Sequence, residues 1–157
     1  MMIKKMAYGL LALLILGTGS IFVSYSNFSE ERLTAIKTGS KILDTAAGPM
    51  EYQQIGNNGP VLLFLHGTPG GYDQAVPFEG MRVLAPSRPG YLRTPLDTGR
   101  TPQEQADAYA ALMDSLGIDQ VIVAGASGGG PSAIAFAVRH PDRTVALIAL
   151  EAVSQTI

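Results

Sequence analysis

The chain contains no cysteine, and only 15% of its residues are charged. The absence of cysteine excludes disulfide frameworks, thiolate metal sites and cysteine nucleophiles. The net charge is −2, without a basic face or an acidic tract, so nothing indicates a nucleic-acid partner. No motif predicts a metal or an organic cofactor. What remains is a chain of 157 residues, a length that suits roughly one domain.

One long uncharged run stands near the amino terminus. The 24 residues between Lys5 and Glu30 carry no charge, close to the roughly 20 residues that span a hydrocarbon core. A lysine pair precedes the run, which predicts a cytoplasmic amino terminus and an extracytoplasmic location for everything that follows. We therefore expect residues 1–29 to anchor the protein in a membrane. A cleaved signal peptide, which would release a secreted protein, is the alternative, because the SYS triplet at 24–26 offers small residues for cleavage.

Beyond this run, residues 30–40 are polar and predict a linker or a short capped helix, and residues 41–157 alternate between strand and helix patterns. Two segments predict helices, the first capped by Thr101 and the second stopped by Pro141. Strands are predicted at SKILDT, MEYQQI, VLLFL, RVLAPS, QVIVAG and TVALIAL. Strands that alternate with helices indicate an α/β fold with a mostly parallel sheet.

Two glycine-rich turns follow strands of this sheet, HGTPGG at 66–71 and GASGGG at 125–130. Ligands of parallel sheets bind where the strands end, so both turns lie at the expected edge. In the second turn, Ser127 stands between Gly125 and Gly129, which lack a Cβ and allow a tight strand-to-helix turn. The free N–H groups of the following helix favour an oxyanion there. This arrangement predicts a nucleophilic serine; the alternative is a serine that only caps the helix.

HGTPG, SRPGY and GASGG occur in an order and at spacings that resemble the serine-nucleophile branch of the α/β-hydrolase family, from about Lys41 to the end of the chain. Leu92 follows SRPGY where that family often has glycine. The resemblance implies an ester- or amide-like small-molecule substrate. It also implies that Ser127 is the nucleophile and that the backbone N–H groups of Gly128 and Thr68 form an oxyanion hole. Structural roles are implied for His66, Gly67, Gly125 and Gly129.

A base for Ser127 is the missing part of this pattern. His140 lies 13 residues further along one predicted helix, about 20 Å away. His66 is close in the fold, but the resemblance gives it a structural role. In the family the acid and the histidine follow the nucleophile, and only Glu151 is a weak candidate for the acid. We therefore expect an incomplete sheet that ends after its sixth strand, and a chain that is inactive alone.

Two alternatives from other functional classes remain open. GGGPSA at 128–133 fits a dinucleotide-binding loop, with Glu151 near the place of a ribose-binding acid. Pro131 inside the loop and the strands that precede it count against that site. The other alternative is a membrane-tethered scaffold without turnover, against which an open, apolar sheet edge counts.

Overall fold

The computed structural model describes residues 2–153. It separates into two compact units that meet in sequence between Thr38 and Gly39. The first is a single helix and the second is an α/β unit.

The first unit is helix α1, which runs without interruption from Met2 to Thr38. The sequence predicts a linker or a short capped helix over residues 30–40; residues 30–38 are helical and continuous with the rest of α1. The reason is that no glycine or proline occurs between Gly19 and Gly39, so nothing stops the helix before its last residue. Counting only described residues, no helix of the structure is both long enough and apolar enough to cross a membrane.

The second unit contains one sheet of six strands in the order β1-β2-β4-β3-β5-β6. Strand β2 pairs antiparallel with β1 and with β4, and all other neighbours are parallel. The mostly parallel α/β sheet predicted from the sequence is confirmed, although β2 begins two residues earlier than MEYQQI. The strands are β1 Lys41–Thr45, β2 Gly48–Ile55, β3 Val61–Leu65, β4 Arg82–Pro86, β5 Val121–Ala126 and β6 Thr144–Leu150.

Two helices belong to this unit, α2 (Pro102–Ser115) and α3 (Gly130–Arg139). Thr101 begins α2 with a capping box: its side chain accepts from the Glu104 N–H, and Glu104 accepts from the Thr101 N–H. The two helices share one core with the sheet, in which the largest fully buried side chains include Tyr109 of α2 and Phe136 of α3.

The pairing of β3 with β5 positions the candidate site. Leu65 lies opposite Gly125 in this parallel pair, so the two strands end at the same edge of the sheet. The glycine-rich turns that follow them therefore meet there. Strand β6 lies beyond β5 at the other end of the pairing order. Its apolar side chains are exposed, among them Val145 and Leu150.

A buried carboxylate ties β2 to the loop after β4. Glu51 is fully buried and accepts hydrogen bonds from the hydroxyls of Ser40 and Ser87, at 2.6 and 2.8 Å. Arg93 donates to it from its backbone N–H and from Nε, the latter at 2.7 Å. Burial raises the pKa of Glu51, but these hydrogen bonds together outweigh burial and leave the pKa lowered. The carboxylate is therefore a fully satisfied structural charge.

Candidate active site

Ser127 lies on a sharp turn between β5 and α3. Strand β5 ends at Ala126, a single 3₁₀ turn covers Ser127–Gly129, and α3 begins at Gly130. Ser127 has a φ of +46°, a left-handed conformation that non-glycine residues rarely adopt. Such strain costs on the order of 1–3 kcal/mol and persists only where the surroundings impose it. The side chain is exposed.

The glycines around Ser127 are required by close packing. A Cβ on Gly125 would lie 2.6 Å from Cβ of Ala133 on α3, too close for two carbon atoms. A Cβ on Gly129 would overlap the carbonyl oxygens of Leu65 and His66 at the end of β3. Because both positions exclude a side chain, α3 can approach the sheet directly behind Ser127.

The turn after β3 packs against the serine turn. A Cβ on Gly67 would lie 3.4 Å from Cβ of Ser127, and a Cβ on Gly128 would lie 2.7 Å from Oγ1 of Thr68. Within residues 2–153, neither the Thr68 N–H nor the Gly128 N–H has a hydrogen-bond acceptor, whereas the neighbouring Gly67 N–H donates to Oε1 of Gln74. Two free backbone donors therefore stand on adjoining turns, one of them directly after Ser127.

His66 is buried and both of its ring nitrogens are occupied. Nε2 accepts from the backbone N–H of Arg88 at 2.8 Å, which places the ring proton on Nδ1, where it faces the carbonyl oxygen of Gly67 at 2.8 Å. Burial, reinforced by the nearby Arg88 charge, lowers the pKa of His66 to about 4 even though the hydrogen bond to Gly67 raises it. The ring is thus neutral at pH 7 and holds β3 against the loop after β4.

Arg88 links the two turns. Its Nη1 donates to the carbonyl oxygen of Gly128 at 2.8 Å, and its Nη2 donates to Oγ1 of Thr68 at 2.9 Å. The guanidinium carbon lies 4.6 Å from the ring centre of Tyr91, whose hydroxyl shares a 2.9 Å hydrogen bond with Thr68. The sequence motifs predict no role for these two residues, although both belong to SRPGY, which directly follows the buried strand β4.

Of the remaining candidates, His140 lies apart from this cluster, and the Glu151 side chain forms no hydrogen bond with the described residues. His140 caps the carboxyl end of α3, and its Nε2 lies 3.0 Å from Oδ1 of Asp107 on α2. Glu151 is exposed at the bend after β6, with a φ of +48°. The same bend approaches the serine turn, because the Val153 N–H donates to the carbonyl oxygen of Ser127 at 3.1 Å. The role of Glu151 as the catalytic acid therefore stays a prediction.

The glycines of GGGPSA are packed against protein. Gly128 contacts Thr68, Gly129 contacts the end of β3, and a Cβ on Gly130 would overlap Ala152. In a dinucleotide-binding loop the second glycine lets the backbone approach the pyrophosphate, whereas the corresponding Gly130 is covered by Ala152. Within residues 2–153, no group of three or more His, Asp or Glu side chains is placed to hold a metal ion.

The sheet order and the strained serine turn, beside two N–H groups that have no acceptor within residues 2–153, indicate a hydrolase fold. A family model described as alpha/beta hydrolase fold matches residues 60–156, and the chain belongs to that family. The match includes the serine turn and the proposed dinucleotide loop, and so favours the hydrolase over the dinucleotide alternative.

Individual relatives agree with this assignment. The uncharacterized hydrolase YcgS of Bacillus subtilis (strain 168) is 35% identical over 112 residues, covering 69% of this chain and 39% of that protein. The 2-hydroxy-6-oxo-6-phenylhexa-2,4-dienoate hydrolase of Burkholderia cepacia is 36% identical over 98 residues, 55% of this chain and 34% of that protein. A solved alpha/beta hydrolase fold protein from Nakamurella multipartita is 40% identical, with a TM-score of 0.68, over 75% of this chain and 43% of that one. The chain thus spans about two fifths of the length of the proteins it matches.

Proposed function

We propose that this chain provides the nucleophile and the oxyanion hole of a serine hydrolase that acts on a small carbonyl substrate such as an ester or an amide. Ser127 is the nucleophile, and the N–H groups of Thr68 and Gly128 receive the negative charge that forms on the carbonyl oxygen. The observation that carries the proposal is the strained φ of Ser127 beside two backbone donors that have no acceptor in the described part of the chain. Donors held in place before the reaction stabilise the transition state without reorganising.

We assign no residue of this chain as the base for Ser127. A serine hydroxyl is a weak nucleophile until an adjacent base takes its proton. His66 cannot take it, because its accepting nitrogen is already bound to the Arg88 N–H, and His140 is engaged with Asp107 at the far end of α3. We therefore propose that the base and its acid come from residues outside this sequence, and that the chain alone turns over substrate very slowly. Within this chain, Glu151 at the bend after β6 is a weak candidate for the acid.

The reaction follows from these positions. Oγ of Ser127 attacks the substrate carbonyl carbon while the external base accepts its proton. The carbonyl oxygen becomes an oxyanion that accepts hydrogen bonds from the N–H groups of Thr68 and Gly128. Collapse of this intermediate breaks the bond to the alcohol or amine, which leaves with the proton from the base, and an acyl group stays on Ser127. Water, deprotonated by the same base, then attacks the acyl carbon; the carboxylic acid leaves and Oγ of Ser127 regains its proton.

Imidazole supplied in solution tests this proposal, because it can replace the absent base. The purified chain is incubated with a fluorophosphonate probe over a series of imidazole concentrations at pH 7.5. We expect labelling whose rate rises with imidazole, and a labelled tryptic peptide covering residues 101–139. Ser127→Ala should remove the label, whereas Ser132→Ala, five residues further along the same turn and helix, should retain it. Labelling that is absent at every imidazole concentration, or that persists in Ser127→Ala, contradicts the proposal.

For the amino-terminal unit we propose a membrane anchor, with the α/β unit on the extracytoplasmic side; release as a secreted protein after cleavage is the alternative. The support is the uncharged run after the lysine pair. A non-catalytic, membrane-tethered scaffold is the remaining functional alternative, and the imidazole experiment separates it from a hydrolase.

A further inference from the structure

Arg88 is a buried cation without an anionic partner. Only 7% of the residue is exposed, and no carboxylate within residues 2–153 forms an ion pair with it. Its Nε is buried and has no hydrogen-bond acceptor in the described chain. Its contacts are a carbonyl, a hydroxyl and an aromatic ring, all of them neutral. Burying a charge without a counter-charge is unfavourable, so packing alone does not account for an arginine here.

The position of this charge is specific. Each of the two terminal nitrogens of Arg88 binds one turn of the candidate site. Nη1 donates to the carbonyl oxygen of Gly128, and Nη2 donates to the hydroxyl of Thr68. These are the two residues whose N–H groups form the proposed oxyanion hole. Because the guanidinium is planar and rigid, two hydrogen bonds from its two ends fix the separation of the turns. A lysine can keep the charge but cannot hold both turns in this way.

Tyr91 and His66 hold Arg88 itself. The guanidinium lies over the Tyr91 ring, and that ring meets His66 edge-on with its centroid 5.0 Å away. The backbone N–H of Arg88 is fixed on Nε2 of His66. The cation is therefore held in a defined place against both turns before any substrate arrives.

We propose that Arg88 is the positioning residue of the oxyanion hole: it sets the spacing of the Thr68 and Gly128 N–H groups, and the oxyanion formed on the substrate is the counter-charge that it lacks. This inference rests on the proposed function. It predicts that the arginine matters when negative charge develops beside Ser127 and matters much less for the folded state.

The test measures phosphonylation of Ser127 in the purified full chain with saturating imidazole. Oγ of Ser127 bonds to phosphorus, its proton passes to imidazole and fluoride leaves, while negative charge grows on the phosphoryl oxygen. Arg88→Gln should lower the labelling rate about 10- to 100-fold, less than the loss of an oxyanion donor itself. Arg88→Lys should fold and should lower the rate about tenfold, because the charge remains and the two-turn link is lost.

Two further variants separate positioning from a general structural effect. Thr68→Val removes the hydroxyl that accepts a hydrogen bond from Arg88. The double variant Arg88→Gln/Thr68→Val should therefore be labelled only slightly more slowly than Arg88→Gln, because both substitutions break the same hydrogen bond. Arg93→Gln is the matched control, because it breaks the buried pair with Glu51 on the other side of the loop. It should lower the urea midpoint of unfolding and leave the labelling rate within about twofold of the unchanged chain.

The outcomes are distinct. The role of Arg88 is overturned, while the proposed function stands, if Arg88→Lys is labelled at the unchanged rate. The same holds if Arg88→Lys and Arg93→Gln slow labelling equally and in proportion to the stability that each loses. Absence of imidazole-dependent labelling in the unchanged chain overturns both. Slowing by the Arg88 variants alone, with non-additive Thr68→Val, supports the inference.

Discussion

Gly129 packs so closely against the carbonyl oxygen of Leu65 that it has no room for a side chain. The contact joins the serine turn to the end of β3, the strand that leads into the turn carrying Thr68. The backbone at Gly129 has an ordinary φ of −81°, so the requirement for glycine comes from space and not from conformation. The relative placement of the two turns therefore depends on a missing Cβ.

Gly129→Ala should strongly destabilise the α/β unit. The added methyl group would meet rigid backbone oxygens at the end of β3, so we expect a loss of about 3 kcal/mol in the free energy of unfolding, the upper end of the usual cost of overpacking. Gly117→Ala is the control: its φ of +64° disfavours alanine, but its surroundings are open, and about 1 kcal/mol is expected. Urea unfolding followed by tyrosine fluorescence measures both. Equal losses in the two variants would show that the packing at Gly129 is not tight.

His66 should make stability depend on pH between about 4 and 6.5. The unfolded chain takes up a proton on this residue near pH 6.5, but the folded chain does so only near pH 4, because burial lowers its pKa. The contribution of His66 to the free energy of unfolding is therefore complete above pH 6.5 and is lost as the pH falls from 6.5 to 4. The pKa difference between the folded and unfolded chain corresponds to about 3 kcal/mol.

Urea unfolding at a series of pH values tests this in the unchanged chain and in His66→Gln. The variant should be less stable at pH 7 and should show a flatter profile between pH 4.5 and 6.5. Glu51 does not obscure the comparison, because its lowered pKa confines its own loss of stability to pH values below about 4.5. An unchanged slope in His66→Gln would place the titrating group elsewhere.

Much of this fold can be predicted from the order of residues because the signals are local. The capping residues around Thr101 define the start of α2, and the continuous apolar run at 61–65 identifies a strand that is buried in a parallel sheet. The serine turn is local as well, since the glycines that it needs lie within two residues of Ser127. These features require no knowledge of distant contacts.

The parts that sequence reasoning missed depend on tertiary contacts. Arg88 is 40 positions from Gly128, and nothing within its own segment shows that its guanidinium reaches two other turns. Glu51 sits in a strand pattern where a charged residue predicts an exposed face, and it is buried only because Ser40, Ser87 and Arg93 converge on it. Continuity of α1 through residue 38 follows from the absence of glycine and proline, whereas the polar composition of residues 30–38 indicates a separate element.

The proposed membrane anchor can be tested in a bacterium that expresses the full chain. We expect the chain in the membrane fraction after washing with alkaline carbonate, because the 24 uncharged residues between Lys5 and Glu30 exceed the roughly 20 residues that span a hydrocarbon core. Replacement of Leu13 and Leu16 by Arg should release the chain, since each charge at the centre of such a helix costs about 3 kcal/mol. A chain that carbonate removes completely would exclude the anchor, and a shortened chain in the medium would instead support a cleaved signal.

The most direct test of the central claim is a crystal structure of the chain after Ser127 has reacted with a phosphonate probe. The account predicts a covalent bond from Oγ of Ser127 to phosphorus, with the phosphoryl oxygen about 2.7–3.1 Å from the backbone nitrogens of both Thr68 and Gly128. A phosphoryl oxygen that turns to solvent, or a probe attached to any other residue, would contradict it.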